Sequence, residues 1–182
     1  SKGSRGISCL LVDKGTPGLQ IGKKERKMGV RGSDTREIHF KDCRVPRAQL
    51  LGGENEGFKI ALSMLDSGRI GIAAQSVGIA QAAFEEALAY AKQRRQFGKA
   101  LSEFQATQFK LADMAVRIEA ARLLAYRAAA ALEKGRATRE ASMAKLFASQ
   151  TANKVAYDAL QIHGANGYVR EFPVERYFRD AR

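Results

Sequence analysis

The stretch Gln161-Ile-His-Gly-Ala-Asn-Gly-Tyr168 decides the fold, because it ends a long helical pattern with a glycine turn. Two glycines three residues apart remove side chains and let a backbone segment approach another group closely. Pro173 follows the turn, and a charged segment runs from it to the final Arg-Asp-Ala-Arg. Since neither Gly nor Pro ends that segment, we expect residues 161–182 to combine a candidate binding turn with a truncated fourth helix.

Three longer helical patterns precede this turn, with apolar residues spaced at threes and fours. The first covers residues 57–93, and the second begins at the expected N-cap residue Ser102 and runs to about residue 134. Gly135 ends the second pattern, and the third starts at Thr138 and continues to about Ile162. Long helices joined by short links favour an antiparallel bundle.

Residues 1–53 have a different pattern, which is typical of β-structure. Residues 6–12 form a continuous apolar run, and residues 19–21 and 36–40 alternate between apolar and polar side chains. The predicted fold class is therefore α+β. The C-terminal part of a β-domain occupies residues 1–53, and an antiparallel four-helix bundle with a truncated fourth helix occupies residues 54–182.

The composition is that of an ordinary globular protein, with 45% hydrophobic and 27% charged residues among 182. No apolar run reaches the length of a membrane span. Cys9 and Cys43 lack metal-ligand spacing and are interpreted as small buried hydrophobic residues in a reducing compartment, and His39 is expected to face outward. The net charge of +12 is compatible with nucleic acid, an anionic cofactor, an acidic partner or a solvated surface.

The sequence contains no Gly-x-Gly-x-x-Gly loop, P-loop, Cys-x-x-Cys or His-Glu-x-x-His motif. Its candidate sites are three clusters: Arg94-Arg-Gln-Phe-Gly98, Leu65-Asp-Ser-Gly-Arg-Ile70, and residues 161–167. Each cluster also has a purely structural interpretation. The arginines complement a helix C-terminus, Asp66 and Arg69 form a surface pair three residues apart, and the glycines form a C-cap.

Taken together, in this order and spacing, the clusters resemble the acyl-CoA dehydrogenase family, and within it the short-chain, butyryl-type members. The resemblance extends over the whole chain. Its most specific parts are Lys-Gly-Thr-Pro-Gly-Leu, Arg94-x-x-Phe97-Gly98, Gln105-x-x-Gln-Phe-Lys-Leu-Ala-Asp-Met and Gln161-Ile-x-Gly-x-x-Gly-Tyr. The family oxidises the Cα–Cβ bond of an acyl-CoA thioester with FAD and passes the electrons to an electron-transfer flavoprotein.

The resemblance also implies site residues. Arg94 would reach the FAD diphosphate of a neighbouring subunit, Phe97 would lie against the same cofactor, and Gln105 would hydrogen-bond it. The turn beside the flavin would consist of Gln161, Ile162, His163, Gly164 and Ala165. The family usually has Gly-Gly where this chain has Gly164-Ala165, so the contact at Ala165 depends on a backbone that is not left-handed. The segment lining the acyl-CoA entry would consist of Asp66, Ser67, Gly68 and Arg69.

The catalytic base is expected to be missing from these residues. Family members carry the glutamate at one of two positions, and the first corresponds to Gly68, which has no carboxylate. The second lies in a Tyr-Glu-Gly-Thr-type segment just beyond Arg182. The resemblance therefore predicts that residues 1–182 alone are inactive, and that no metal takes part.

The expected partners are acyl-CoA, an electron-transfer flavoprotein and further copies of the chain in a homotetramer. The compartment would be the cytoplasm of a bacterium or the mitochondrial matrix of a eukaryote. An acyl-CoA oxidase is a nearby alternative, and a basic helical nucleic-acid-binding relative is a more distant one. Nucleic acid is not expected, since the sequence has no basic stripe interleaved with aromatic residues and no recognition helix.

Overall fold

The computed structural model describes residues 3–182 as two compact units, of which the first ends at Leu65 and the second covers Asp66–Arg182. The helices are α1 (Gly57–Gln93), α2 (Gln105–Glu133), α3 (Thr138–His163) and α4 (Val174–Ala181). The strands are β1 (Cys9–Leu10), β2 (Leu19–Lys24), β3 (Arg36–Phe40), β4 (Leu50–Leu51), β5 (Arg95–Gln96) and β6 (Lys99–Ala100). The prediction of four helices is confirmed, and the strands are few and short.

The first unit holds two antiparallel strand pairs. β1 pairs with β4, so that Cys9 lies opposite Leu51, and β2 pairs with β3 with an irregularity between Ile21 and Lys24. The prediction of a continuous strand over residues 6–12 is wrong, because the partner strand β4 contains only two residues. His39 in β3 is exposed, as expected.

The two cysteines correct another expectation. Cys9 and Cys43 are free thiols, but each is only half-buried rather than part of a packed interior. Cys9 lies in a two-residue strand, and Cys43 follows β3 in a loop.

The core of the second unit is built mainly from alanine. The alanines that α1 buries recur at helical spacing: Ala73, Ala80, Ala83, Ala87 and Ala91. Small side chains let helix backbones approach closely, so the core needs few large residues, and Met114, Val155 and Val174 are the largest apolar side chains that are fully enclosed.

Hydrogen bonds between distant residues fix the helix directions in the second unit. Lys110 near the start of α2 pairs with Asp158 near the end of α3, so these two helices run in opposite directions. Thr138 at the start of α3 bonds Asp66 in α1, while Asn166, after α3, bonds Tyr90 near the end of α1. Therefore α1 and α3 run in the same direction.

The start of α2 differs from the predicted capping. Ser102 is not the N-cap, because residues Leu101–Glu103 form a single 3₁₀ turn and α2 begins only at Gln105. The Glu103 carboxylate accepts a hydrogen bond of 2.8 Å from the backbone N–H of Ala100. Phe104 then takes an extended conformation (φ −89°, ψ 128°) and serves as the residue before the helix. A glutamate therefore stabilises this turn where a serine was expected to do so.

Among residues 3–182, no helix is both long enough and apolar enough to cross a membrane.

Candidate functional site

The last turn of α1, the segment after it and the turn after α3 surround a cleft of about 220 Å³, here called the turn cleft. Its lining includes five of the residues predicted from the sequence: Arg94, Ile162, His163, Gly164 and Ala165. It also includes Gln96 and Asn166, which lie in the predicted clusters without an assigned role, and two residues outside those clusters, Tyr90 and Leu101. The structure thus brings two clusters that are about seventy residues apart in sequence to one place.

The turn of the turn cleft is a 3₁₀ segment from Gly164 to Tyr168. Gly164 ends α3 with a φ of +59°, and its N–H bonds the carbonyl oxygen of Gln161. The contact predicted at Ala165 required that the backbone there is not left-handed. Ala165 has no positive φ, so its methyl group is compatible with the backbone there. The C-cap interpretation of Gly164 is therefore correct in geometry, and an exposed Ala165 remains beside the cleft.

Gly167 is required for close packing, whereas Gly164 is required for its positive φ. Gly167 is buried, and a Cβ atom at this position would lie 2.6 Å from the carbonyl oxygen of Leu160 and 3.2 Å from the Cβ atom of His163. The backbone of the turn therefore packs directly on the last turn of α3, and only a residue without a side chain fits there.

We expect Gly167→Ala to lower the free energy of unfolding by about 2 kcal/mol, because backbone must move to admit the methyl group. Urea denaturation of the purified protein measures the change. Gly71→Ala is the matched control, since nothing lies within 4 Å of a Cβ atom there and alanine favours a helix interior. Equal stability of Gly167→Ala and the wild type would contradict the close approach.

His163 supports the turn from inside. Its ring is 4% exposed and stacks on Tyr90 with a centroid distance of 4.2 Å. Its Nδ1 atom is 2.8 Å from the carbonyl oxygen of Ala159, which can only accept, so Nδ1–H donates this bond. Burial lowers the pKa of His163 below the ordinary value, and the neutral ring is the stable form at neutral pH.

Tyr90 links the turn to α1. Its hydroxyl oxygen accepts a hydrogen bond of 2.9 Å from Nδ2 of Asn166, and Phe172 meets its ring edge-on. Its backbone carbonyl accepts from the N–H of Arg94 at 2.8 Å. Tyr90 lies one helical turn before Arg94, and residues four apart share a helix face. This spacing is the sequence signal that places Tyr90 in the same site as Arg94.

Arg94 presents a free cation at the turn cleft. Its backbone is fixed, because its carbonyl also accepts from Leu101 at 2.9 Å. Its guanidinium is exposed and has neither a hydrogen bond nor an ion pair with any group in residues 3–182. A planar, permanently charged group held in this way suits an external phosphate or carboxylate.

The segment after Arg94 is a hairpin that the sequence did not predict. β5 and β6 pair through a two-residue turn in which Phe97 has a φ of 53° and Gly98 a φ of 84°. Positive φ at both central residues defines a type I′ turn, and a phenylalanine in that conformation costs of order 1–3 kcal/mol. Phe97 is 92% exposed, and among the rings of the described residues it pairs only with Phe104, in a T-shaped arrangement with a centroid distance of 6.4 Å.

The other predicted cofactor residues do not line the turn cleft. Phe97 projects from the hairpin tip, Gln105 is exposed at the first position of α2, and Gln161 is exposed in the last turn of α3. A ligand that contacts them all must therefore extend well beyond the cleft.

The cluster of residues 66–69 has a distinct geometry in α1. Asp66 is 5% exposed and accepts two hydrogen bonds, from Nη1 of Arg69 at 2.9 Å and from Oγ1 of Thr138 at 2.7 Å. The interpretation of Asp66 and Arg69 as an ordinary surface pair is therefore wrong, since Asp66 joins α1 to the start of α3. Ser67 and Gly68 are exposed, and a side chain at Gly68 would enter open space.

Comparison with protein families identifies two consecutive domains. Residues 55–182 match the acyl-CoA dehydrogenase C-terminal domain, and residues 1–43 match the middle domain of the same enzymes. The resemblance found in the sequence is confirmed.

Individual relatives agree with these matches. The chain is 55% identical over 182 residues to an acyl-CoA dehydrogenase of Bacillus subtilis, covering all of this chain and 48% of that protein. It is 52% identical over 183 residues to the mitochondrial short-chain specific acyl-CoA dehydrogenase of Rattus norvegicus, covering 100% of this chain and 44% of the relative. The structure of butyryl-CoA dehydrogenase from Megasphaera elsdenii superimposes with a TM-score of 0.96 at 51% identity, over 99% of this chain and 47% of that one. The chain thus spans about half the length of the relatives it matches.

Proposed function

This chain belongs to the acyl-CoA dehydrogenase family, and we propose that the protein oxidises the Cα–Cβ bond of a short-chain acyl-CoA to the trans-2-enoyl-CoA. The observation that carries the proposal is the turn cleft, where an arginine without a partner among residues 3–182 lies beside a glycine turn, in a chain 51% identical to butyryl-CoA dehydrogenase of Megasphaera elsdenii. We infer an α+β arrangement as well, with β-domain residues 1–53 before an antiparallel bundle of residues 54–182.

Acyl-CoA dehydrogenases of this family depend on FAD, and the residues of this chain fit such a cofactor. Arg94 offers a fixed, uncompensated cation for the diphosphate, and the exposed Phe97 offers an apolar face. Gln105 would donate or accept a hydrogen bond through its amide, and Gly164 and Ala165 would let the flavin approach the backbone. FAD, when bound, accepts the hydride that leaves Cβ.

The substrate would lie along the first turns of α1 in the second unit. Arg69 retains 32% of its side-chain exposure while it pairs with Asp66, so its remaining donors can bind a phosphate or carbonyl oxygen of the CoA. Asp66 would position Arg69 rather than react, because both of its oxygens already accept hydrogen bonds. Ser67 and the open space at Gly68 leave room for the thioester end.

The base that removes the α-proton lies outside this segment of α1. Gly68 has no carboxylate, and Asp66 is held by Arg69 and Thr138. As the α-proton moves to a carboxylate elsewhere in the protein, the β-hydrogen leaves with its electron pair and the double bond forms. We propose that the electrons then pass to an electron-transfer flavoprotein and that the protein is a homotetramer. It would work in the bacterial cytoplasm or the mitochondrial matrix.

A second candidate is the reverse reaction, reduction of an enoyl-CoA. Two relatives favour it: a caffeyl-CoA reductase–Etf complex subunit of Acetobacterium woodii and an acryloyl-CoA reductase (NADH) of Anaerotignum propionicum, each 50% identical to this chain. Both directions use the same hydride transfer, so the site residues assigned above serve either.

The test is anaerobic mixing of the natural, full-length, FAD-loaded protein with butyryl-CoA. We expect the flavin absorbance to bleach and a dye acceptor to be reduced catalytically. Persistent flavin colour with butyryl-CoA and with longer acyl-CoA thioesters would contradict the proposal. Bleaching together with direct oxygen consumption would instead identify an oxidase, and preferred turnover of crotonyl-CoA with a reduced donor would identify a reductase.

A further inference from the structure

Thr138, the first residue of α3, connects the candidate substrate segment of α1 to the start of another helix. Its hydroxyl donates to Oδ2 of Asp66 at 2.7 Å, although the two residues are 72 positions apart in the sequence. Thr138 is half-buried and belongs to none of the three clusters predicted from the sequence. The contact therefore adds a residue of α3 to the candidate substrate site on α1.

An arginine fixes the direction of this hydrogen bond. Nε of Arg136 donates to Oγ1 of Thr138 at 2.9 Å, so the single hydroxyl proton of Thr138 is left for Asp66. The hydrogen bonds thus run from Arg136 to Thr138 and from Thr138 to Oδ2 of Asp66. This series sets the orientation of the Asp66 carboxyl group.

The other oxygen of Asp66 holds Arg69 by a single contact. Nη1 of Arg69 donates to Oδ1 at 2.9 Å, which is the only hydrogen bond that the guanidinium makes to any group in residues 3–182. Arginine and carboxylate side chains frequently form two parallel N–H···O bonds instead, in which both oxygens accept from one guanidinium. Because Oδ2 accepts from Thr138, the remaining N–H groups of Arg69 are left for a ligand.

Loss of the Thr138 hydroxyl would leave Oδ2 of Asp66 without a donor, and Asp66 is only 5% exposed. A buried oxygen is costly to leave unpaired. Arg69 already contacts the same carboxyl group from three residues along the helix, so a small rotation would let it donate to both oxygens. That rotation would use N–H groups of a side chain that is now 32% exposed and open to a ligand.

We propose that Thr138 is a positioning residue for acyl-CoA binding, because it holds Asp66 so that Arg69 offers N–H groups to an oxygen of the substrate. The inference rests on the proposed function, since it needs Arg69 to bind the acyl-CoA. The oxygen belongs either to a CoA phosphate or to the pantetheine and thioester part, and a guanidinium can donate to both. Thr138 acts through Asp66 and takes no part in the chemistry.

The test measures the binding of crotonyl-CoA, the product of butyryl-CoA oxidation, to the natural, full-length, FAD-loaded protein by isothermal titration calorimetry. In Thr138→Val, we expect the Kd to rise about tenfold, because the ligand loses a charge-assisted hydrogen bond from Arg69. Thr138→Ser keeps the hydroxyl donor, so its Kd should stay within about twofold of wild type.

The same titrations with crotonyl-pantetheine, which lacks the CoA phosphates, identify the oxygen that Arg69 binds. A weaker affinity of Thr138→Val for crotonyl-CoA alone assigns Arg69 to a phosphate. A weaker affinity for both ligands assigns Arg69 to the part that the two ligands share. Each of these results supports the positioning role.

Ser142→Ala is the matched control, because Oγ of Ser142 donates to the backbone carbonyl oxygen of Thr138 at 2.6 Å and so stabilises the same helix start without bonding Asp66. An unchanged Kd in Thr138→Val, or an equal rise in Thr138→Ser or Ser142→Ala, would overturn the positioning role. If Thr138→Val does not fold with FAD bound, Thr138→Ala takes its place with the same criteria. Absence of flavin bleaching when the wild type is mixed with acyl-CoA thioesters would instead reject the proposed function itself.

Discussion

Arg94→Ala is expected to weaken FAD binding by about 10- to 100-fold in the natural, full-length protein. The side chain has no partner among residues 3–182, so its removal leaves the packing intact and takes away only the contact to the ligand. A charge-assisted hydrogen bond to an anion is worth ~1.5–3 kcal/mol, which corresponds to that range of dissociation constants. The ratio of flavin to protein absorbance after gel filtration, followed by a fluorescence titration with FAD, measures the change.

Arg95→Ala is the matched control for this variant. Arg95 is the neighbouring exposed arginine, but its Nη2 donates to the carbonyl oxygen of Gly98 and so belongs to the hairpin. It should retain FAD as well as the wild type does. Arg94→Lys should fall between wild type and Arg94→Ala, because lysine keeps the charge and loses the planar fork. Unchanged FAD occupancy in Arg94→Ala would reject the assignment of Arg94 to the diphosphate.

The helices were predictable because their apolar spacing, and the residues at two of their ends, are local signals. Residues 57–93 were predicted from spacing alone and match α1, and Gly135 and Thr138 mark the end of α2 and the start of α3 in the structure as in the sequence. The hairpin after Arg94 was missed because its type I′ turn holds Phe97 where asparagine or glycine is usual. The prediction of Ser102 as the N-cap of α2 is wrong because the helix start depends on a turn that the Glu103 side chain stabilises.

Parts of the candidate site were hidden by distance along the chain. The burial of Asp66 depends on Thr138, which lies 72 residues away, so a spacing of three to Arg69 suggested only a surface pair. The support of the turn by Tyr90 likewise depends on a hydrogen bond across 76 residues to Asn166. Residues in one helical turn or one loop were therefore predicted together, whereas contacts between helices were not.

Asp158 shows how much such a contact between helices contributes. It lies in α3 with 1% exposure, and Nζ of Lys110 in α2 is 3.3 Å from one of its oxygens. Lys154, one turn earlier in α3, pairs with the other oxygen. Both lysine side chains are partly exposed, so their ammonium groups can turn to solvent if the carboxylate is removed. The Asp158 carboxylate is buried and cannot reach water if both lysines are removed.

We therefore expect Lys110→Met/Lys154→Met to lower the free energy of unfolding by about 3 kcal/mol, because it leaves a buried carboxylate without a cation. Each single variant should cost about 1 kcal/mol, since the remaining lysine still pairs with Asp158, so the two losses should be more than additive. Adding Asp158→Leu to the double variant should recover most of the stability. Urea denaturation measures the free energy of unfolding of the two single variants, the double variant and the triple variant, all made in the full-length protein. Lys145→Met changes an exposed position on α3 and is the control, which should stay within about 0.5 kcal/mol of wild type. If the double variant loses no more free energy of unfolding than the sum of the two single variants, and that loss is below about 0.5 kcal/mol, the two lysines do not compensate Asp158. The packing of α2 on α3 would then depend on their alanine contacts alone.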